Sequence, residues 1–339
     1  MPWVVPEPRT ALAGVALVAL AACSSPSAAA PHLAVSPPAR PTASAATTTS
    51  PSPSPEPSYP PYYIESLRKL PHPGGAIQVG AQMFRGAGFT KSQMSWPSQG
   101  QVMTGTISMP DGGGPFPVVI VNHGHIPATR YWVGQDSGIF GDPMSAHGFI
   151  SLAPNYPGYA GSGQLDPVYP SIIGEAIANM DLISSLSSLP QADVRRVAMI
   201  GHSNGGGVGL LIAVIDPRVR ALALFAPVSS DMADNARKWW QGSSRGAAPD
   251  PDAAPAAYAH ISPRNYFSAT TPPTLFLQGT RDQDIPAAWT NTTLSALQAR
   301  GVDASVTWYP GALHDMVGSD LADADARAEA WIRQHLPAA

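Results

Sequence analysis

Short, nearly unbroken apolar runs recur along the chain at Pro117–Asn122, Phe149–Pro154, Val197–Gly201, Ala221–Ala226, Thr274–Gln278 and Ser305–Tyr309. Runs of this length without polar alternation suit parallel strands covered on both faces. Between them the period becomes helical. Ile173, Ala176, Ile177, Met180, Ile183 and Leu186 share one helical face, as do Leu321, Ala328, Trp331, Ile332 and Leu336. Alternating strands and helices predict a doubly wound, mostly parallel α/β sheet. In such sheets reactive groups gather in loops beyond the carboxyl ends of the strands. Upstream, residues 82–109 read as one or two strands around the polar turn Pro97-Ser98-Gln99-Gly100, with a second turn at Asp111-Gly112-Gly113-Gly114.

Before Tyr59 the pattern is of another kind. Arg9 precedes the apolar run Ala11–Ala22, too short to span a bilayer and of the length of a secretory signal core. The run ends Leu20-Ala21-Ala22-Cys23-Ser24-Ser25, which resembles a bacterial lipobox. That resemblance implies cleavage before Cys23 and a diacylglycerol on it; an ordinary secretory signal is the alternative. Residues 24–58 are almost all Ser, Pro, Ala and Thr. Such a composition cannot bury enough apolar surface to offset chain entropy, and predicts an extended tether. The expected organisation is a signal peptide at 1–22, a lipidated Cys23 with a disordered linker at 23–58, and a single domain at 59–339 carrying a cap-like insertion at about 229–267. The protein would be exported and anchored by lipid at the outer face or in a periplasm, or secreted.

Charge narrows the function. Lys and Arg number 19 against 23 Asp and Glu, a net charge of −4, so no basic footprint for nucleic acid exists. Cys23 is the one cysteine, which excludes an intrachain disulfide.

The candidate chemistry begins at Gly201-His202-Ser203-Asn204-Gly205, directly after the Val197–Gly201 run. A G-x-S-x-G between a strand and a helix presents its serine at a strained turn, where glycines remove clashes that a Cβ would cause. Gly206-Gly207-Val208-Gly209-Leu210-Leu211 then reads as the start of a closely packed helix. A second match, Gly242-Ser243-Ser244-Arg245-Gly246, follows a polar stretch and leads into a Pro-rich one, so Ser244 reads as loop.

A nucleophilic serine needs a base, an orienting acid and an oxyanion hole. Acid and base are expected after later strands, in the order Ser, Asp, His. Gly279-Thr280-Arg281-Asp282-Gln283-Asp284-Ile285-Pro286 follows one strand, and Tyr309-Pro310-Gly311-Ala312-Leu313-His314 follows the last. His314 is the expected general base; His147, His260 and His335 lack a strand-end setting. Asp282 is the expected acid, with Asp284 its rival and Asp231, beyond the preceding strand, a third candidate. The expected oxyanion-hole donors are the backbone N–H of Asn204 and that of His125, in the loop Asn122-His123-Gly124-His125. The pair His123-x-His125 also admits a metal, but no further ligand completes a set nearby, so neither metal nor cofactor is expected.

Together these segments resemble the prolyl oligopeptidase and dienelactone hydrolase branch of the α/β-hydrolases. The resemblance rests on Pro115–Gly124, on Gly201-His202-Ser203-Asn204-Gly205-Gly206, on Gly279-Thr280-Arg281-Asp282 with Ile285-Pro286, and on Tyr309-Pro310-Gly311-Ala312 with His314, and covers roughly residues 84–335. It implies the α/β-hydrolase fold and favours Asp282 over Asp284. Three features depart from the pattern. No β-propeller segment precedes the domain, the nucleophile is Ser where dienelactone hydrolase has Cys, and Asn155 and Pro157 stand where the family often has an acid and an Arg.

The expected reaction is hydrolysis of a small-molecule carboxylic ester through an acyl-enzyme on Ser203. A serine peptidase acting on short peptides is the same-fold alternative, and a non-catalytic surface binding protein the alternative of another class. Trp239, Trp240 and Tyr258, in the long stretch Ser229–Phe267, are candidates to line an acyl pocket or merely to pack.

Overall fold

In the computed structural model, residues 60–165, 170–240 and 250–338 are described. The leader, Cys23, the linker up to residue 58 and Ser244 lie outside them. Among the described residues, no helix is long and apolar enough to cross a membrane.

A nine-stranded sheet organises the chain from residue 60 on. Three antiparallel strands come first: β1 (Gln78–Gly86), β2 (Phe89–Ser98) and β3 (Gln101–Pro110). This corrects the expectation of one or two strands. β1 is an edge strand exposed along almost its whole length, so no apolar alternation marks it in the sequence. The β2–β3 hairpin turns where expected, with Gln99 and Gly100 both at positive φ (48° and 77°), the backbone a two-residue hairpin requires.

The remaining strands follow the apolar runs, with shifts of a few residues. They are β4 (Phe116–Asn122), β5 (Ile150–Pro154), β6 (Ala192–His202), β7 (Val219–Phe225), β8 (Thr274–Gly279) and β9 (Ala304–Tyr309). β6 begins earlier than its run predicts, because Asp193, Val194, Arg195 and Arg196 extend the strand with polar or exposed residues. The order is β1-β2-β3-β5-β4-β6-β7-β8-β9, parallel from β5 to β9.

Helices cover both faces, and the strands show how. Val118 and Ile120 of β4 join one apolar cluster, while Val119 and Val121 join the other. The same split divides Val197 and Met199 from Ala198 and Ile200 in β6. Side chains alternate across a strand, so a continuous apolar run supplies both layers. α3 (Ser171–Ser185) and α4 (Asn204–Ala213) pack on the first face, and α2 (Ser137–Ala146) and α8 (Gly318–His335) on the second. α7 (Ala287–Gln298) links β8 to β9.

β5 lies on one side of β4 and β6 on the other. The chain therefore reverses its winding direction at β4. The ends of β4 and β6 are paired there, Asn122 with Gly201, and the loops that leave them border a crevice.

Leu224, fully buried on β7 in the first cluster, tests this core. We expect Leu224→Ala to lower unfolding free energy by about 2–5 kcal/mol at unchanged m in urea; a loss below about 1 kcal/mol would contradict the packing described.

Candidate active site

Ser203 sits between β6 and α4 at φ 52° and ψ −114°, a backbone region L-residues rarely adopt. The turn is possible because the elements around it touch backbone to backbone. A Cβ on Gly201 would lie 2.4 Å from the Gly205 carbonyl oxygen, one on Gly205 2.2 Å from that of Asn122, and one on Gly206 2.5 Å from Pro227 Cβ. The Ser203 amide donates to the Phe225 carbonyl at 2.9 Å, and its own carbonyl accepts from the Val228 amide at 3.1 Å. The serine is thereby fastened to the end of β7 as well.

Asp282 and His314 occupy the loops after β8 and β9, which are laced together. The Thr280 amide donates to the Tyr309 carbonyl, the Arg281 amide to the Ala312 carbonyl, and the Gly311 amide to Thr280 Oγ1, each at 2.9 Å. His314 Nδ1 donates to Asp282 Oδ2 at 3.0 Å, with the Asp282 side chain 1% exposed. The other Asp282 oxygen accepts from the Asp284 and Ile285 amides at 2.9 and 2.8 Å. Burial alone would raise the Asp282 pKa, but the His314 hydrogen bond and these amides outweigh it and hold the carboxyl below its ordinary value.

Of the three acid candidates, Asp282 is the one bonded to the imidazole. Asp284 contributes its amide to Asp282, and its side chain is exposed. Asp231 caps the short helix α5 (Met232–Asn235) by accepting from the Ala233 amide at 3.0 Å, and it pairs with Arg264 at 2.6 Å.

A cavity of about 430 Å³ joins these parts. Ser203, Asn204, His125 and His314 line it, together with Ser171, Val228, Asp284, Trp239 and Trp240. Ser203 Oγ and the His314 ring share this wall without a hydrogen bond between them. Asn204 opens α4, so its N–H has no acceptor within the helix. Trp239 and Trp240 do reach the cavity, as one of the two readings expected. Tyr258 instead lies buried in the first apolar cluster, because it falls on the inward face of α6 (Pro255–Ile261).

Charged groups absent from the expected set lie just behind these residues. Glu175, buried on α3, accepts from Asn204 Nδ2 at 2.7 Å. A carboxylate within the apolar period of α3 was the signal available for it, since such a residue is buried only with a partner. Asp136 Oδ2 accepts from the Gly124 amide at 2.6 Å and from His202 Nδ1 at 2.9 Å. Nothing in its sequence context marks Asp136, which lies 12 residues beyond Gly124.

The two histidines beside the site respond in opposite ways. His202 would be pushed down by burial, but the hydrogen bond and charge of Asp136, with Asp315 3.6 Å from its other nitrogen, raise its pKa above the ordinary value. His123 is fully buried against Tyr131, Tyr156 and Tyr159, and desolvation lowers it to about 4 despite its bond to the Gly124 carbonyl at 2.7 Å. Tyr156 and Tyr159 donate to the His123 and Ile126 carbonyls, both at 2.8 Å. Asn155, at the family's acidic position, instead accepts from Tyr131 and donates to Thr104 Oγ1, also at 2.8 Å.

The His202 shift has a signed consequence. A group whose folded pKa is raised contributes stability that is complete below its unfolded pKa, about 6.5, and is lost as pH rises through the folded value. We therefore expect the stability difference between the protein and His202→Gln to be larger at pH 6 than at pH 9, measured by urea unfolding. A difference independent of pH would overturn the raised value.

The arrangement is similar to that of several known proteins. The acetyl xylan esterase 1 of Thermoanaerobacterium superposes with a TM-score of 0.57 at 17% identity, over 81% of this chain and 91% of that one, a likeness of fold. A protein of Escherichia coli named as a carboxymethylenebutenolidase is 25% identical over 239 residues, 67% of this chain and 76% of that protein. An uncharacterized protein of Pseudomonas aeruginosa is 29% identical over 133 residues, 39% of this chain; the aligned part spans only 33% of that relative. The model of the prolyl oligopeptidase family matches residues 142–338, which contain Ser203, Asp282 and His314 in that order; the chain belongs to this family.

Proposed function

We propose that the protein is a serine hydrolase that cleaves carboxylic esters through an acyl-enzyme on Ser203. The observation that carries this reading is the His314 imidazole, held by buried Asp282 on the wall that also bears Ser203 at its positive φ. In the proposed reaction His314 Nε2 takes the hydroxyl proton as Ser203 Oγ attacks the ester carbonyl. Catalytic hydrogen bonds are often long in a ligand-free enzyme and shorten in the complex, so the contact closes as substrate enters. The carbonyl oxygen becomes an oxyanion held by the Asn204 and His125 amides. Collapse breaks the ester C–O bond, and His314 returns its proton to the departing alcohol. Water, deprotonated by the same imidazole, then releases the acid and regenerates Ser203.

Asp282 fixes the tautomer that leaves Nε2 unprotonated, and its lowered pKa keeps it anionic across the working range. Trp239, Trp240 and Val228 give the cavity apolar walls for an acyl group. Among the described residues, Asp284 is the acidic side chain on the lining, and no Lys or Arg lies there. That balance favours uncharged acyl groups over anionic ones.

The family match supports a second reading, a peptidase of short substrates. Rates on p-nitrophenyl acetate and butyrate, compared with peptidyl nitroanilides, separate the two. We expect ester turnover to dominate and Ser203→Ala to lose it by about a thousandfold or more. Equal rates for the protein and Ser203→Ala would refute the assignment, and faster nitroanilide turnover would favour the peptidase.

We also propose that the protein is exported and anchored through Cys23. The support is the run Ala11–Ala22 ending in Leu20-Ala21-Ala22-Cys23 and followed by the Ser/Pro-rich stretch. The intact mass of membrane-extracted protein is expected to correspond to a chain starting at an acylated Cys23. A chain starting at Met1, or one without acyl mass, would overturn this.

A further inference from the structure

The two oxyanion-hole donors come from different parts of the fold. His125 belongs to the loop after β4 and Asn204 to the elbow after β6, and the strands are paired only as far as Asn122 and Gly201. Beyond that register the loop and the elbow stay in contact, Gly205 against the Asn122 and His123 carbonyls, but hydrogen bonds of the sheet no longer set their spacing. Amides aimed at one oxygen must still be held within about half an ångström of their productive positions.

One atom bonds to both segments. Asp136 Oδ2 accepts from the amide of Gly124, the residue before His125, and from the ring of His202, the residue before Ser203. The approach is close enough that a Cβ on Gly124 would lie 3.1 Å from His202 Nδ1, 3.2 Å from Asp136 Oδ2 and 3.4 Å from Ser203 Cβ. Asp136 is also in an unusual position for its type. It precedes the first residue of α2, where an Asp side chain ordinarily caps the helix, yet it makes no capping bond there and its φ is 66°. A non-glycine residue held at positive φ with its capping bond given up points to a task elsewhere. The titratable and polar groups around it are His123 and the Gly124 amide after β4, Tyr131, Tyr156 and His202, with His314 and Asp315 lining the same small cavity.

We propose that Asp136 is a positioning residue for the oxyanion hole, its carboxylate oxygen pinning the Gly124–His125 loop to the His202–Ser203 elbow so that the His125 and Asn204 amides converge on one oxygen. This rests on the assignment of those amides in the proposed ester hydrolysis. Asp136 touches no reacting atom. Its effect is confined to the state in which the carbonyl oxygen carries charge, because ground-state substrate binding makes little use of those two donors.

The test compares Asp136→Ala, Asp136→Asn and Gly124→Ala with the unaltered protein on p-nitrophenyl butyrate. Active sites are counted by exhaustive fluorophosphonate labelling and folding is followed by circular dichroism. Asp136→Ala removes the bridging oxygen, and its kcat per titrated site is expected to fall about ten- to a hundredfold with KM within about twofold. A trifluoromethyl ketone, whose hemiketal places an oxyanion in the same hole, is expected to lose affinity in proportion to kcat/KM. Asp136→Asn keeps an oxygen in the bridging position and is expected to recover most of kcat. Gly124→Ala pushes loop and elbow apart without removing a polar group, and is expected to repeat the alanine signature at position 136. It decides the question if Asp136→Ala does not fold. An inert unaltered protein would sink the ester reading itself. With that protein active, kcat of Gly124→Ala and Asp136→Ala within twofold of it, a rise in KM at constant kcat, or an Asp136→Asn as slow as Asp136→Ala would overturn this inference alone.

Discussion

Everything at the site depends on the absence of side-chain atoms between β6 and α4. Ser203 can sit at φ 52° only because the chain on either side comes into contact with neighbouring backbone at Gly201 and Gly205. A Cβ at either place would overlap a carbonyl group at a distance real side chains do not reach. The strain of the serine backbone, of order 1–3 kcal/mol, persists because its surroundings over-determine it. The amide and carbonyl of Ser203 are both used by β7 and the segment after it. The hydroxyl is thus presented by a turn with backbone contacts on both sides, and the other groups are brought to it on loops.

Those loops are fixed by carboxyl groups that are buried or largely so. Asp282, Asp136 and Glu175 each lie behind a group that faces the cavity, namely His314, the Gly124–His125 loop with the elbow, and Asn204. A buried carboxylate is costly unless its oxygens are satisfied, so each accepts only a narrow range of donor positions. Once folded, that intolerance becomes precision. Apolar contacts could fill the same space, but being non-directional they would not fix where a donor points.

The parallel core was legible because buried strands must be apolar on both faces, and such runs stand out against the Pro- and Gly-rich connections. The antiparallel edge was less so. β1 is exposed and carries no period, and its hairpin became visible only where β2 and β3 turn. The serine and histidine were legible because strand-end position and local glycines are features of contiguous sequence. Asp282 needed the family pattern to be separated from Asp284, two residues away, since side-chain direction in a short loop depends on which amides turn inward. Asp136 could not be found in this way. Its partners lie on two other loops, and an Asp ahead of a helix has an ordinary local explanation in capping, which the fold sets aside.

His123 and His202 show why chemistry must be read from surroundings rather than residue type. Both are buried and both neighbour the proposed oxyanion loop, yet their pKa values move apart, one to about 4 and one above the ordinary value. Desolvation presses both toward the neutral form. His202 resists because Asp136 accepts its Nδ1 proton and Asp315 approaches its other nitrogen. His123 has three tyrosine rings around it, and the acceptor it finds is an uncharged carbonyl. The loop between β4 and α2 is therefore held at one end by a neutral aromatic cluster, insensitive to pH near neutrality, and at the other by the Asp136 carboxyl, which accepts from the Gly124 amide and from His202. Rigidity at the first end comes from packing, and alignment at the second from an acceptor oxygen shared by two segments. A loop held in both ways can present a backbone amide to a developing anion without rearranging as the charge appears, which is the condition under which a fixed dipole stabilises a transition state more than water does.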